Sequence, residues 1–157
     1  MSAAYKQLVQ HLDERDVSYR ADSDAEAIRV DVHGGVGTYR LVAAVDDTGE
    51  LFQVWGDLPI LIPAGGRVMI AEAITRANYG LRIGKFEMDF DDGELRFQIA
   101  HVLAGDVLED SVIARLFATS LAMLDRYLPA FLSVVYGNEL PEEAIQVVEQ
   151  PERLDAE

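Results

Sequence analysis

Hydrophobic positions recur at two periods along this chain, and the change of period marks its elements. Tyr5, Leu8, Val9 and Leu12 fall at helical spacing behind Ser2, an oxygen-bearing N-cap, which predicts a first helix over 3–14. After Arg15-Asp16 the period falls to two. Val17, Tyr19 and Ala21 predict a short strand. Ile28, Val30 and Val32 alternate with Arg29, Asp31 and His33 in a second, and Tyr39, Leu41, Ala43 and Val45 give a third. Asp46-Asp47-Thr48-Gly49 is a hairpin turn, and Leu51 to Leu58 is a fourth strand. Pro59 and Pro63 then bracket Ile60-Leu61-Ile62. A helix over about 64–78 follows, with Met69, Ile70, Ala73, Ile74 and Ala77 as its buried stripe and Gly80 as a left-handed residue past its end. Leu81–Phe90 and Glu94–Val102 read as a hairpin joined by Asp91-Asp92-Gly93.

The last helix is expected to start from Asp106 as N-cap, with Glu109 three residues on and Asp110 in the first turn. Its stripe is Ile113, Phe117, Leu121, Leu124, Leu128, Phe131 and Val135, widened by Leu116, Met123 and Tyr127. Pro129 must kink this helix or split it near Leu128, because proline removes a donor and clashes with the preceding turn. Gly137-Asn138 ends it. The order αββββαββα, with one apolar face per strand, predicts an α+β fold: an antiparallel sheet with helices packed on one face. Residues 1–138 form the single domain in this reading, and 139–157 form an acidic, mobile tail in which Val147 and Val148 support at most a turn of helix from Pro141.

Charge narrows the function classes. The 157 residues carry 13 Lys+Arg against 28 Asp+Glu, a net charge of −15, and half are apolar. Such a chain is long enough to bury roughly 70% of its unfolded surface, and its apolar share is too high for global disorder. The acidity opposes a direct grip on nucleic acid or an anionic membrane, since both need Lys/Arg at the contact. It suits a basic partner, such as a basic nucleic-acid-processing protein. The acidity is not confined to the tail: 139–157 contribute −6 and 1–138 the remaining −9. The N-terminus lacks the pattern of a signal peptide, no apolar run reaches membrane-spanning length, and there is no cysteine. A cytoplasmic protein is the expectation.

No motif carries chemistry. His11, His33 and His101 fall at no metal-ligand spacing, so no metal or cofactor is expected. Asp89 to Glu94 has the look of a calcium loop, but counting from Asp89 places Gly93, Glu94 and Ala100 where Asp/Asn, Gly and Glu are required. His33-Gly34-Gly35-Val36-Gly37 resembles an oxyanion loop, yet the Gly-x-Ser-x-Gly nucleophile turn that would accompany it is absent. No catalytic residue is assigned, and no enzyme is expected. The informative positions are apolar. If Phe52 and Val54 face the core, Leu51 and Trp55 lie on the opposite sheet face and, with Leu58, Ile60 and Leu61, make a partner-binding patch. The alternatives are a strand covered on both sides or a flipped register. The surplus apolar width of the last helix, at Leu116, Met123, Tyr127 and Phe131, is either a homodimer interface or core.

Arg76-Ala77-Asn78, Gly84-Lys85-Phe86-Glu87-Met88-Asp89 and Asp92-Gly93-Glu94-Leu95-Arg96-Phe97 together resemble the YbjN-type proteins, also labelled bacterial sensory transduction regulators. The likeness is strongest over about 60–101 and extends by element order over about 17–137. The family is similar in fold to type III secretion chaperones, small acidic α+β dimers that hold partly unfolded clients on apolar patches. The resemblance thus implies a dimeric, chaperone-like adaptor or regulator with a client protein, and it supplies no catalytic residues. A small-ligand sensor with a cavity between sheet and helices is the alternative.

Overall fold

The computed structural model describes residues 1–150. Helix α1 (Ala3–Glu14) begins where expected: Ser2 Oγ accepts the Tyr5 N–H at 3.0 Å. Six strands follow in two groups: β1 (Arg20–Asp22), β2 (Ala27–His33), β3 (Thr38–Val45), β4 (Leu51–Leu61), β5 (Lys85–Met88) and β6 (Glu94–Val102). They form one sheet in the order β1-β2-β3-β4-β6-β5, antiparallel at every pairing. A short 3-10 turn (Ala64–Gly66) leads into α2 (Arg67–Gly80), and α3 (Asp110–Tyr136) and α4 (Pro141–Glu149) close the described chain. The α+β class and the sheet with its helices on one side are as the alternation predicts. Among the described residues no helix is long and apolar enough to cross a membrane.

The core lies between the helices and the sheet face carrying Ile28, Val30, Leu41, Ala43, Phe52, Val54, Leu95, Phe97 and Ile99. Phe86 sits at its centre, edge-on to Phe97 at 5.1 Å and to Tyr127 and Phe131 at 5.2 Å between ring centroids. In that geometry the positive ring edge meets a negative ring face. Phe86 is held from the backbone side as well. Asn78, at the end of α2, donates through Nδ2 to the Phe86 carbonyl at 2.9 Å and accepts the Phe86 N–H through Oδ1 at 2.8 Å. The amide side chain thereby occupies the outer edge of β5 as a strand would. Asn78→Ala should lose about 1–3 kcal/mol in urea unfolding, because it leaves a half-buried donor and acceptor unpaired.

Several boundaries differ from the sequence reading for identifiable reasons. Asp106 does cap a helix, but α1 rather than α3: its carboxylate accepts the N–H groups of Ala3 at 2.6 Å and Ala4 at 2.9 Å. Those N–H groups, Ala4's first and then Ala3's, hold the Asp106 carboxyl below the usual range, as expected beside the positive end of a helix dipole. Helix α3 starts later, with Glu109 at its N-cap. It neither ends nor splits at Pro129, where buried Leu128, Ala130 and Phe131 hold the backbone in place on both sides. Strand β4 continues through Pro59 to Leu61, since pairing with β3 stops at Arg40↔Asp57 and a register shift follows on the β6 side. A proline is tolerated where the ladder is interrupted. Strand β5 is shorter than expected, and Gly80 is the last residue of α2 rather than a left-handed cap; the left-handed glycine of that connection is Gly84, at φ +76°.

The largest correction concerns the segment after Asn138. Residues 141–149 form a helix docked on α2 and α3, not a mobile tail. Pro141 stands at the first helical position and Glu142 and Glu143 in the first turn, all favourable at an N-terminus. Pro141, Ala144 and Ile145 are buried, and Tyr127 donates its hydroxyl hydrogen to Glu149 Oε1 at 2.8 Å. The remainder of the expected tail, 151–157, lies outside the described residues.

Candidate partner-binding face

Among the described residues no helix lies over the second face of the sheet, and the strand register orders its side chains into rows. One row runs Arg29, Val42, Trp55, Gln98, Lys85 across β2, β3, β4, β6 and β5. Beside it runs a charged row of alternating sign: Asp31, Arg40, Asp57, Arg96, Glu87. On the other side lie the smaller residues Ala27, Ala44, Gln53 and Ala100. Opposite charges placed across from one another stabilise an open sheet face. Arg96 Nε meets Glu87 Oε1 at 2.6 Å, Lys85 Nζ meets Glu87 Oε2 at 3.4 Å, and Arg40 Nε meets Asp31 Oδ1 at 3.8 Å. Trp55 stands half-buried in the middle, with the Arg96 guanidinium 6.0 Å from its ring centroid.

The residues expected to bind a partner therefore divide. Leu51 and Trp55 lie on the open face, half-buried, as the alternation requires. Leu58 does not: it is buried and shares the inner face with Phe52 and Val54. Ile60 is half-buried and Leu61 exposed, and both border a shallow concavity of about 400 Å³ at the register shift, with Asp57 and Glu94 on its wall. Burial, and then the Asp57 carboxylate, push the Glu94 carboxyl above its ordinary value.

The residues expected at a dimer seam lie in or against the chain's own core. Leu116, Tyr127 and Phe131 are buried in the chain's own core, and Met123 is half-buried against it. The apolar width of α3 that a sheet alone would leave bare is covered by α2 and by α4, a helix within the expected tail.

The histidines are dispersed. His11 is buried with Nδ1 3.0 Å from Asp110 Oδ1, tying α1 to α3; His33 Nδ1 lies 2.9 Å from Thr38 Oγ1; His101 is exposed. Among the described residues no three His, Cys, Asp or Glu side chains are grouped to hold a metal ion. The loop at Gly34-Gly35-Val36-Gly37 does bind an anion, and that anion belongs to the chain. Gly35 and Val36 N–H donate to the Asp125 carboxylate at 2.7 and 3.1 Å, and the Tyr39 hydroxyl donates to it at 2.7 Å. One feature of the open face went unread in the sequence. It carries five of the 13 cations: Arg20, Arg29, Arg40, Lys85 and Arg96. The alternation that placed Trp55 also places them, once the strand register is known.

No curated protein matches the chain. Among solved structures, the crystal structure of YbjN from E. coli, described as a putative transcription regulator, is similar over 80% of this chain and 92% of its own, with a TM-score of 0.54 and 15% identity. At that identity the likeness is one of fold. The family model named YbjN, "Putative bacterial sensory transduction regulator", matches residues 5–133, which include most of α1, the whole sheet, α2 and most of α3. This chain belongs to the YbjN family.

Proposed function

We propose that the protein is a non-enzymatic, chaperone-like regulator that holds a partner protein on the open face of its sheet. The observation that carries this reading is the uncovered face itself, with Trp55 at its centre between a row of small residues and a row of alternating charge. A large aromatic on an exposed, otherwise polar face is a typical anchor for a protein contact. The alternating row favours a partner strand or helix in one register over others. The net charge of −15 speeds encounter with a basic partner. Membership of a family of regulators agrees with a role exercised through binding. A ligand cavity between sheet and helices is the weaker reading, because Phe86, Phe97, Tyr127 and Phe131 fill that layer.

Affinity purification from the source cells tests the proposal with two variants. Trp55→Ala should lose the retained partner at least about tenfold, the effect of removing one aromatic anchor. Tyr79→Ser, at a fully exposed position on α2, should retain it. Equal recovery by the wild type and Trp55→Ala would refute the placement.

A further inference from the structure

We propose that Arg20, Arg29 and Arg40 form a binding site for a phosphate dianion carried by a phosphomonoester. The three side chains come from three adjacent strands and, with Ser18, Tyr19 and His33, line a concavity of about 470 Å³ at the β1 end of the open face. Arg20 and Arg29 are direct cross-strand partners. Like charges facing each other across a ladder destabilise it. In a chain with more than two carboxylates per cation, such a pair is costly to place without a use.

Their surroundings neutralise them only in part. None of the ion pairs among the described residues involves Arg20 or Arg29. Arg40 has Asp31 at 3.8 Å and Asp57 across the β3–β4 ladder; of the two, Asp31 alone lines the concavity. Within the concavity itself three guanidiniums face one carboxylate, an excess of two positive charges that matches a phosphomonoester at neutral pH. Guanidinium geometry also suits phosphate, since each fork can donate two parallel hydrogen bonds to its oxygens. Hydroxyl and imidazole groups at the rim add neutral donors: Ser18 is exposed, and His33 has its Nδ1 engaged with Thr38, so its Nε2 remains for a ligand. The proposal goes beyond the partner-binding reading. It concerns the β1 end of the face and shares only Asp31 and Arg40 with the alternating row, whereas the Trp55 anchor lies on β4.

Titration calorimetry at fixed low ionic strength, balanced with chloride, tests it. The probes are inorganic phosphate, adenosine monophosphate and a phosphoserine peptide, with adenosine and the serine peptide as blanks. The phosphate-bearing probes should bind and the blanks should not. Whichever of the nucleotide or the peptide binds more tightly than free phosphate names the source of the group. Arg29→Gln should weaken binding at least about tenfold with an unchanged or higher melting temperature, since it removes a facing like charge. Lys85→Gln, at the far end of the same row, should leave binding as it is. Phosphate binding no tighter than chloride would overturn the site, as would equal losses in Arg29→Gln and Lys85→Gln, which would make the effect one of general charge.

Discussion

Gly93→Ala should destabilise the fold by roughly 3–5 kcal/mol and lower its melting temperature by roughly 10 °C. Two separate terms act at this position. The backbone is left-handed, at φ +82°, where a residue with a Cβ is strained by roughly 1–2 kcal/mol. The added Cβ would also fall 2.1 Å from the Ile62 carbonyl oxygen and 2.9 Å from the Ile62 nitrogen. Those are backbone atoms and cannot swing aside as a side-chain tip would. Ile62 N–H donates to the Gly93 carbonyl at 2.9 Å, so relieving the clash breaks the bond that fastens the β5–β6 turn to the end of β4. Arg67 is disturbed with it, because it donates to the Ile62 carbonyl at 3.1 Å and to the Phe90 and Asp91 carbonyls at 2.9 and 3.2 Å. Gly49 separates the two terms: it has φ +72° but open space around its missing Cβ. Gly49→Ala should cost only the conformational strain. Urea unfolding of both variants checks the argument, and equal losses would show that the close approach to Ile62 contributes nothing.

That turn also shows what was legible in the sequence and what was not. Asp91-Asp92-Gly93 is readable as a turn from residue type alone, because a left-handed position selects glycine. Its contact with Ile62 is not, since it joins segments about 30 residues apart. The same division holds elsewhere. Period-two alternation placed Leu51 and Trp55 opposite Phe52 and Val54, a purely local consequence of strand geometry. The same alternation puts Leu58 with Phe52 and Val54 on the inner side, where it is found; grouping it with the patch follows the apolar run 58–62 around Pro59 instead of the period. Asp106 carries every local sign of a cap, and its side chain caps, but the N–H groups it meets belong to residues 3 and 4. Helix α4 was hidden by its charge. Glu142, Glu143 and Glu149 read as a solvated tail, while only three residues, Pro141, Ala144 and Ile145, form the buried stripe. The wide apolar face of α3 then looked unpartnered for want of the element that covers it. The arginine cluster of β1–β3 needed the pairing Arg20↔Arg29, which periodicity does not specify.

Asp125→Ala should cost about 2–4 kcal/mol, and Asp125→Asn should abolish most of the associated pH dependence. Asp125 projects from α3 into the β2–β3 loop, where it takes hydrogen bonds from Gly35, Val36 and the Tyr39 hydroxyl. A side chain at Gly34 would put its Cβ 2.3 Å from the carboxylate, so the glycine is what lets the loop wrap the anion. Burial pushes the Asp125 carboxyl up, but the Tyr39 hydroxyl and the N–H groups of Gly35, Val36 and Gly37 outweigh it and hold the group below its ordinary value. The folded state thus binds its proton less readily than the unfolded chain. The contribution to stability is complete above the unfolded carboxyl value, about 3.9, and is lost as pH falls through the lower folded value. Tyr39 behaves in the opposite sense. Burial, then the bond to Asp125 and its charge, push the phenol well above its ordinary value. Its contribution is complete below about 10 and is lost as pH rises through the folded value. Wild-type stability should therefore be flat through neutrality with a loss at each end that this pair shares. Asp125→Asn removes the titrating carboxyl and turns an amide donor toward one of the loop's N–H groups or the phenol, so it should be less stable at neutral pH and shallower on the acid side. Tyr39→Phe should keep a shallower acid limb, since the loop's N–H groups still bind the carboxylate without the phenol, and should reduce the alkaline one, of which Tyr127 and Tyr19 carry the rest. Urea unfolding of the three proteins from pH 2.5 to 11 reads both limbs. An acid limb equally steep in Asp125→Asn would assign it to other carboxylates and remove Asp125 as its source.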